Sequence, residues 1–297
     1  MIPHPASRDH DPTTRPSHQE PAMTAVDAAP APSTPIPRRS PALCVLRYAA
    51  YDVRRNLRMV ESLFFVIVLP SALYLMFGAL MDYGDLPAGT GNVSGTIATS
   101  MAVYGATVAT TNIAGTAAVE RSRGWGRLLA LTPMRQSEYV LAKVVVALAI
   151  AALPVLVVFL VGGLTGADIG APRHWIATGL ITVAASSVFA LYGLMFGMLF
   201  RSESAVGAAS GLLVVLGFFG SLFIPLTGTM LEIAKWTPMY GIKGLASWPQ
   251  LEGMTTGAPT SGVQEDSLAW LIANVLAWLV VFGVLAMLAA RRGTTRA

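Results

Sequence analysis

The residues with chemistry to offer are few, and most fall in one stretch. Glu120 to Lys143 reads ERSRGWGRLLALTPMRQSEYVLAK, with four arginines, one lysine and two glutamates. The chain has no G-x-S-x-G and no H-E-x-x-H, which argues against serine-hydrolase and zinc-protease chemistry. It also lacks G-x-x-x-x-G-K-[ST], the loop that cradles nucleotide phosphates. What the stretch does offer is a surface. Trp125, Leu128 and Leu129 stand at i, i+3 and i+4 and share one face of a short helix, with Leu131 beside them and Arg121, Arg123 and Arg127 pointing elsewhere. Pro133 forces Thr132 out of helical geometry and ends that helix. A carboxylate is disfavoured at a helix's carbonyl end and favoured at its amino end, so Glu120 predicts a break and restart there. Ser137 then caps the next helix, with Glu138 in its first turn. A short helix of this kind either lies on lipid or inserts into a partner.

Other polar residues form weaker patterns. Ser100, Tyr104, Thr107 and Thr111 recur at helical steps on an otherwise apolar segment, and read either as a polar lining for a substrate path or as packing with hydroxyls bonded back to carbonyls. Gly193 with Gly197, and Gly207 with Gly211, allow close approach of helix backbones, with contact between the fourth and fifth apolar segments the expectation. Pro70 and Pro154 fall inside apolar segments, and Asn92-Val93-Ser94 is a chance match to a glycosylation sequon. Cys44 is the single cysteine; His4, His10 and His18 lie in the N-terminal tail and His174 stands apart, so no metal site is expected.

The elements that must position these residues belong to a membrane protein. Of 297 residues 54% are apolar and only 12% charged, with mean hydropathy +0.59. The basic residues that bring the pI to about 9.4 lie between apolar runs, which points to membrane orientation and not to nucleic acid. Residues 1–40 hold nine prolines and no apolar run, and read as a disordered cytoplasmic tail. Ser40-Pro41 opens an amphipathic helix that places Leu43, Leu46, Ala50, Val53 and Leu57 on one face and Arg47, Tyr51, Arg54 and Arg58 on another, as an interfacial helix does. Six spans follow, at about 62–81, 97–119, 144–164, 175–200, 205–226 and 268–290, none with Asp, Glu, Lys or Arg. They make residues 41–292 a six-span, all-α membrane domain. With the tail inside, 17 of the 20 lysines and arginines face the cytoplasm, so both termini are expected there. The outer loop after Leu226 is long and carries Met230, Leu231, Ile233, Ala234 and Trp236, which predicts short helices against the outer leaflet.

Within this frame the charged stretch resembles the connector of type-2 ABC exporter permeases. Glu120, Arg121 and Gly124 match E-R-x-x-G; Leu128, Leu129, Thr132 and Pro133 match L-L-x-x-T-P; and Tyr139, Ala142 and Lys143 match Y-x-x-A-K. A second likeness runs from Pro225 through Trp236 to Pro238, similar to the family's proline at the outer end of the fifth span with a short helix and another proline after it. Gly124-Trp125-Gly126-Arg127 departs from the Gly-Thr of many members and moves the expected helix start to Trp125 or Gly126. The resemblance implies a permease whose cytoplasmic coupling helix docks in a groove of a separate ATP-binding subunit. It further implies that this chain binds no cofactor, that ATP and magnesium sit on the partner, and that two permease copies pair, most simply as a homodimer.

An export permease for a drug, antibiotic or lipid-like molecule is the function these readings favour. An ion-gradient-driven transporter normally needs ionisable groups within its spans, and the six cores have none. A membrane scaffold or sensor demands no motif and stays open. An intramembrane enzyme finds no paired carboxylates to work with.

Overall fold

A computed structural model describes residues 41–59, 63–125, 135–255 and 264–294. Leu128, Leu129, Thr132 and Pro133 lie outside the described residues, as do the tail and the side chain of Trp125. The described chain is mostly helical. In order it forms α1 (Pro41–Asn56), α2 (Phe64–Ala79), a short β1–β2 hairpin (Pro87–Ala88 and Gly91–Asn92), α3 (Val93–Glu120), α4 (Gln136–Leu164), α5 (Pro172–Phe200), α6 (Glu203–Phe219), α7 (Gly228–Ala234), α8 (Pro238–Leu251), a second antiparallel pair β3–β4 (Met254–Thr255 and Gln264–Glu265) and α9 (Leu268–Thr294). Among the described residues three helices are long and apolar enough to cross a membrane: α4, α5 and α9, over Ser137–Leu164, Pro172–Phe200 and Leu268–Arg291. Two further apolar helices, α2 and α6, are shorter.

The fold is built around α3. Its sequence is rich in Ala, Gly, Thr and Ser, and nearly every residue from Ser94 to Val119 is buried by neighbouring helices. Small residues let backbones approach closely, and here they do. A Cβ on Gly193 would lie 2.1 Å from the Thr111 carbonyl oxygen, and one on Gly197 would lie 2.3 Å from that of Gly115. Thr110 Oγ1 donates across the same contact to the Ser186 carbonyl at 2.9 Å, and Thr111 Oγ1 to that of Phe189 at 3.3 Å. The α5 glycines thus pack on α3, and not on α6 as their spacing predicts. On the other side Gly105 admits Pro154 of α4, 2.6 Å from where its Cβ would be.

The outward faces are apolar: Leu156 and Leu160 on α4, Ile176 and Leu180 on α5 and Val280 on α9 are each at least 60% exposed. An apolar surface of this extent marks contact with lipid or partner protein.

Several boundaries differ from those read in the sequence. Helix α4 starts at Gln136 with Arg135, not Ser137, at the N-cap; the Arg135 amide donates to Glu138 Oε2 at 3.1 Å, which satisfies one free amide at the helix start. Helix α6 stops at Phe219 instead of reaching Leu226, because Gly220 leads into Ser221, whose φ of 59° is left-handed. Ser221 is held there by its own side chain, which donates to the Ile224 carbonyl at 3.2 Å and accepts from the Leu226 amide at 3.2 Å.

At the Val93 end of α3, side chains close the fold. Asn92 caps α3 by accepting from the Gly95 amide at 2.8 Å, and it also accepts from the Asp168 amide at 2.9 Å and donates to the Gly166 carbonyl at 2.8 Å. Gln250 of α8 donates to the carbonyls of Ala88 and Asn92 and to Thr96 Oγ1.

Candidate functional site

Helix α1 repeats apolar residues on one face, yet Asp52 follows Val45 and Ala49 at helical spacing on another. All three are buried, at 6%, 4% and 1% exposure for Val45, Ala49 and Asp52. The face packs on α4, and the reason is charge. Asp52 Oδ2 lies 2.9 Å from Lys143 Nζ, which lies 2.9 Å from Glu120 Oε2; Glu120 Oε1 accepts from Arg55 Nη2 at 2.8 Å, and Arg55 Nε lies 3.6 Å from Asp52 Oδ1. Two acids and two bases close a ring of ion pairs across three helices. Tyr139 adds a hydroxyl donated to Glu120 Oε2 at 3.2 Å, and the rings of Tyr48 and Tyr139 flank the lysine with centroids 5.9 and 5.7 Å from Nζ.

This ring corrects the expected break at Glu120. Glu120 is the last residue of α3, and the helix continues as a wide turn through Arg121–Trp125, with the irregularity at Gly124, where φ is 88°. Burial would raise the Glu120 carboxyl, but hydrogen bonds from Lys143 and Arg55 and their charges outweigh it and hold the group below its ordinary value. The hydrogen bond to Glu120 raises the Arg55 guanidinium in turn. A carboxylate neutralised by two cations needs no restart. Glycine is the residue for a left-handed turn, so the break falls at Gly124.

The predicted hydroxyl stripe is split. Ser100, Thr107 and Thr111 are fully buried and donate to the carbonyls of Thr96, Tyr104 and Phe189, which makes them packing residues. Tyr104 alone of the four lines an open cleft of about 910 Å³ between α2, α3 and α6. Its polar lining also includes Asn112 and Ser210, joined by a 2.7 Å hydrogen bond, while Phe65, Leu69, Val108 and Val214 make it largely apolar. Gly207 and Gly211 of α6 border it, with nothing among the described residues within 4 Å of where a Cβ would sit on either.

Cleft and ion ring share an end of the fold. Asn56, which donates to the Asp52 carbonyl at 2.8 Å, and Glu203 both line the cleft. Arg123, in the turn before Gly124, reaches Glu203 Oε1 at 2.6 Å. That pair is exposed and contributes little stability by itself. It does put the connector in contact with the cleft's rim. Sequence reasoning missed Asp52, Arg55, Asn56 and Glu203. The available signal was an acid on the Val45–Ala49 face, which needs a buried partner.

The remaining predicted residues lie apart from this end. Pro225 is exposed after the α6 break, Trp236 stacks edge-on with Trp270 at 4.9 Å, and Pro238 opens α8 behind Thr237, whose side chain accepts from the Tyr240 amide. Arg121 is exposed at the start of the connector turn.

Two comparisons with known proteins bear on this arrangement. The family model described as ABC-2 type transporter matches residues 47–245, from α1 into α8. YvfS of Bacillus subtilis (strain 168), a protein named as a transport permease, is 26% identical over 214 residues that cover 70% of this chain and 84% of the relative.

Proposed function

The chain belongs to the ABC-2 type transporter family, and from that premise we propose that it is the permease half of an ATP-driven exporter for an amphipathic or hydrophobic molecule. Membership makes it a multi-pass membrane protein and a transport subunit, and implies in general an ATP-binding partner. The finer reading is our own. Six spans are α2, α3, α4, α5, α6 and α9; α3 counts among them although its polar small residues lower its hydropathy, because protein and not lipid surrounds it. The bacterial inner membrane is the site, with both termini cytoplasmic, as the distribution of lysine and arginine favours. ATP and magnesium belong to the partner subunit.

The observation that carries the proposal is the junction of connector, ion ring and cleft. Work done by the partner on the segment around Leu128 and Leu129 reaches Gly124, where the chain turns. From there it passes through Arg123 to Glu203 at the cleft's rim, and through Glu120 to α1 and α4. A rigid ring on one side and a glycine turn on the other make a lever. The cleft, apolar with Tyr104, Asn112 and Ser210 as its hydrogen-bonding groups, suits a substrate with a hydrophobic body and a few polar atoms. A second copy facing Gly207 and Gly211 would complete its open wall, so a homodimer is the assembly proposed.

Co-purification tests the docking step. A tagged chain should retain its ATP-binding subunit, and Leu128→Asp combined with Leu129→Asp should release it while the permease stays in the membrane. An unchanged complex would refute docking at this connector.

A further inference from the structure

A second polar site lies away from the ion ring, in a small, partly enclosed cavity of about 40 Å³ among α7, α8, the β3–β4 pair and α9. Lys243 of α8 lines it and donates to the carbonyl of Ser221 at the α6 break. An ammonium has three donors. Among the described residues no Asp or Glu oxygen comes within 4.0 Å of Lys243; Asp266, also at the cavity wall, accepts from Tyr240 and lies 4.0 Å from Lys235, which also pairs with Glu232 at 3.0 Å. Ser247 also lines the cavity. It is 3% exposed, and among the described residues its hydroxyl has no hydrogen-bond partner.

A cation without a counter-charge in a wall that includes Leu231 and Leu271 is costly, and water supplies hydrogen bonds without charge. Burial lowers the Lys243 ammonium to about 8. We infer that this cavity is a binding site for a small monovalent anion of chloride's size, held by the Lys243 ammonium and the Ser247 hydroxyl. One water needs about 10–15 Å³ measured this way, so there is room for a halide and a water or two but not for gluconate. The occupied site would pin α8 to the α6 break and neutralise the lysine that makes the contact.

Thermal unfolding of the purified full-length chain at pH 7 tests this, with sodium chloride compared with sodium gluconate at constant ionic strength. Chloride should raise the midpoint saturably, by about 2–4 °C at ten times its dissociation constant. Lys243→Met should abolish the shift and Ser247→Ala should shrink it; if Lys243→Met fails to fold, Ser247→Ala decides. Equal wild-type midpoints in the two salts, a rise that never saturates, or a full chloride shift in Ser247→Ala would each overturn the assignment.

Discussion

Lys143 Nζ lies 2.9 Å from Asp52 Oδ2, and both residues are almost wholly buried, at 8% and 1% exposure. They come from α4 and α1, 91 residues apart, so α1 is fastened to the rest of the fold by a charge pair as well as by the buried Val45 and Ala49. Removing one partner strands the other. Asp52→Ala or Lys143→Ala should destabilise the protein by about 3–5 kcal/mol, while a double replacement by Leu and Met should recover most of that loss. Thermal unfolding of the purified variants measures both. A single variant as stable as wild type would contradict the closed ring.

The pH dependence follows from Glu120. Its carboxyl is held below the ordinary value in the folded protein, so its contribution is complete above the unfolded value of about 4.5 and is lost as pH falls through the folded one. Stability should therefore be insensitive to this group between pH 7 and 5 and decline below about pH 4. Glu120→Gln should flatten that acid limb. An unaltered limb in the variant would assign the acid sensitivity elsewhere.

Gly124 predicts a functional loss with little structural cost. Among the described residues nothing lies within 4 Å of a Cβ placed there, so alanine meets no clash with them and the positive φ of 88° opposes it by about 1–2 kcal/mol. Gly124→Ala should fold normally, stiffen or redirect the connector and lower transport more than it lowers the unfolding midpoint. Full transport activity in this variant would remove the glycine turn from the lever.

The two glycine pairs should behave oppositely. Gly193→Ala places a Cβ 2.1 Å from the Thr111 carbonyl oxygen and should prevent stable folding. Gly207→Leu and Gly211→Leu meet no described residue within 4 Å of the new Cβ, so these variants should fold and lose transport or pairing of copies. Light scattering of the purified protein separates those two losses.

Local pattern was a good guide where a face is left uncovered, and a poor one where other helices pack on it. Leu43, Leu46, Ala50 and Leu57 of α1, read as one apolar face, are exposed in the structure, while Val53 of the same face packs against the core. On the opposite side Asp52 signalled a buried partner without identifying it, because that partner is a lysine far along the chain. Glu120 misled for the same reason: helix-dipole reasoning sees only its own helix, and Arg55 and Lys143 neutralise it from two others. In α3 the hydroxyls looked like a path because the chain cannot show which helix lies against them. Thr110 and Thr111, bonded to α5 carbonyls, answer that question. Only Tyr104 of the proposed path faces the cleft; of its companions Asn112 lies two turns along α3 and Ser210 comes from α6.

The central claim is that partner-driven motion of the connector moves substrate through this chain. Its most direct measurement is ATP-dependent accumulation of amphipathic fluorescent dyes in inside-out membrane vesicles containing the chain and its ATP-binding subunit. Accumulation should require ATP, should vanish without the chain, and should fall severely in the Leu128→Asp, Leu129→Asp variant. Accumulation that is equal without the chain, or that an ion gradient sustains without ATP, would contradict it.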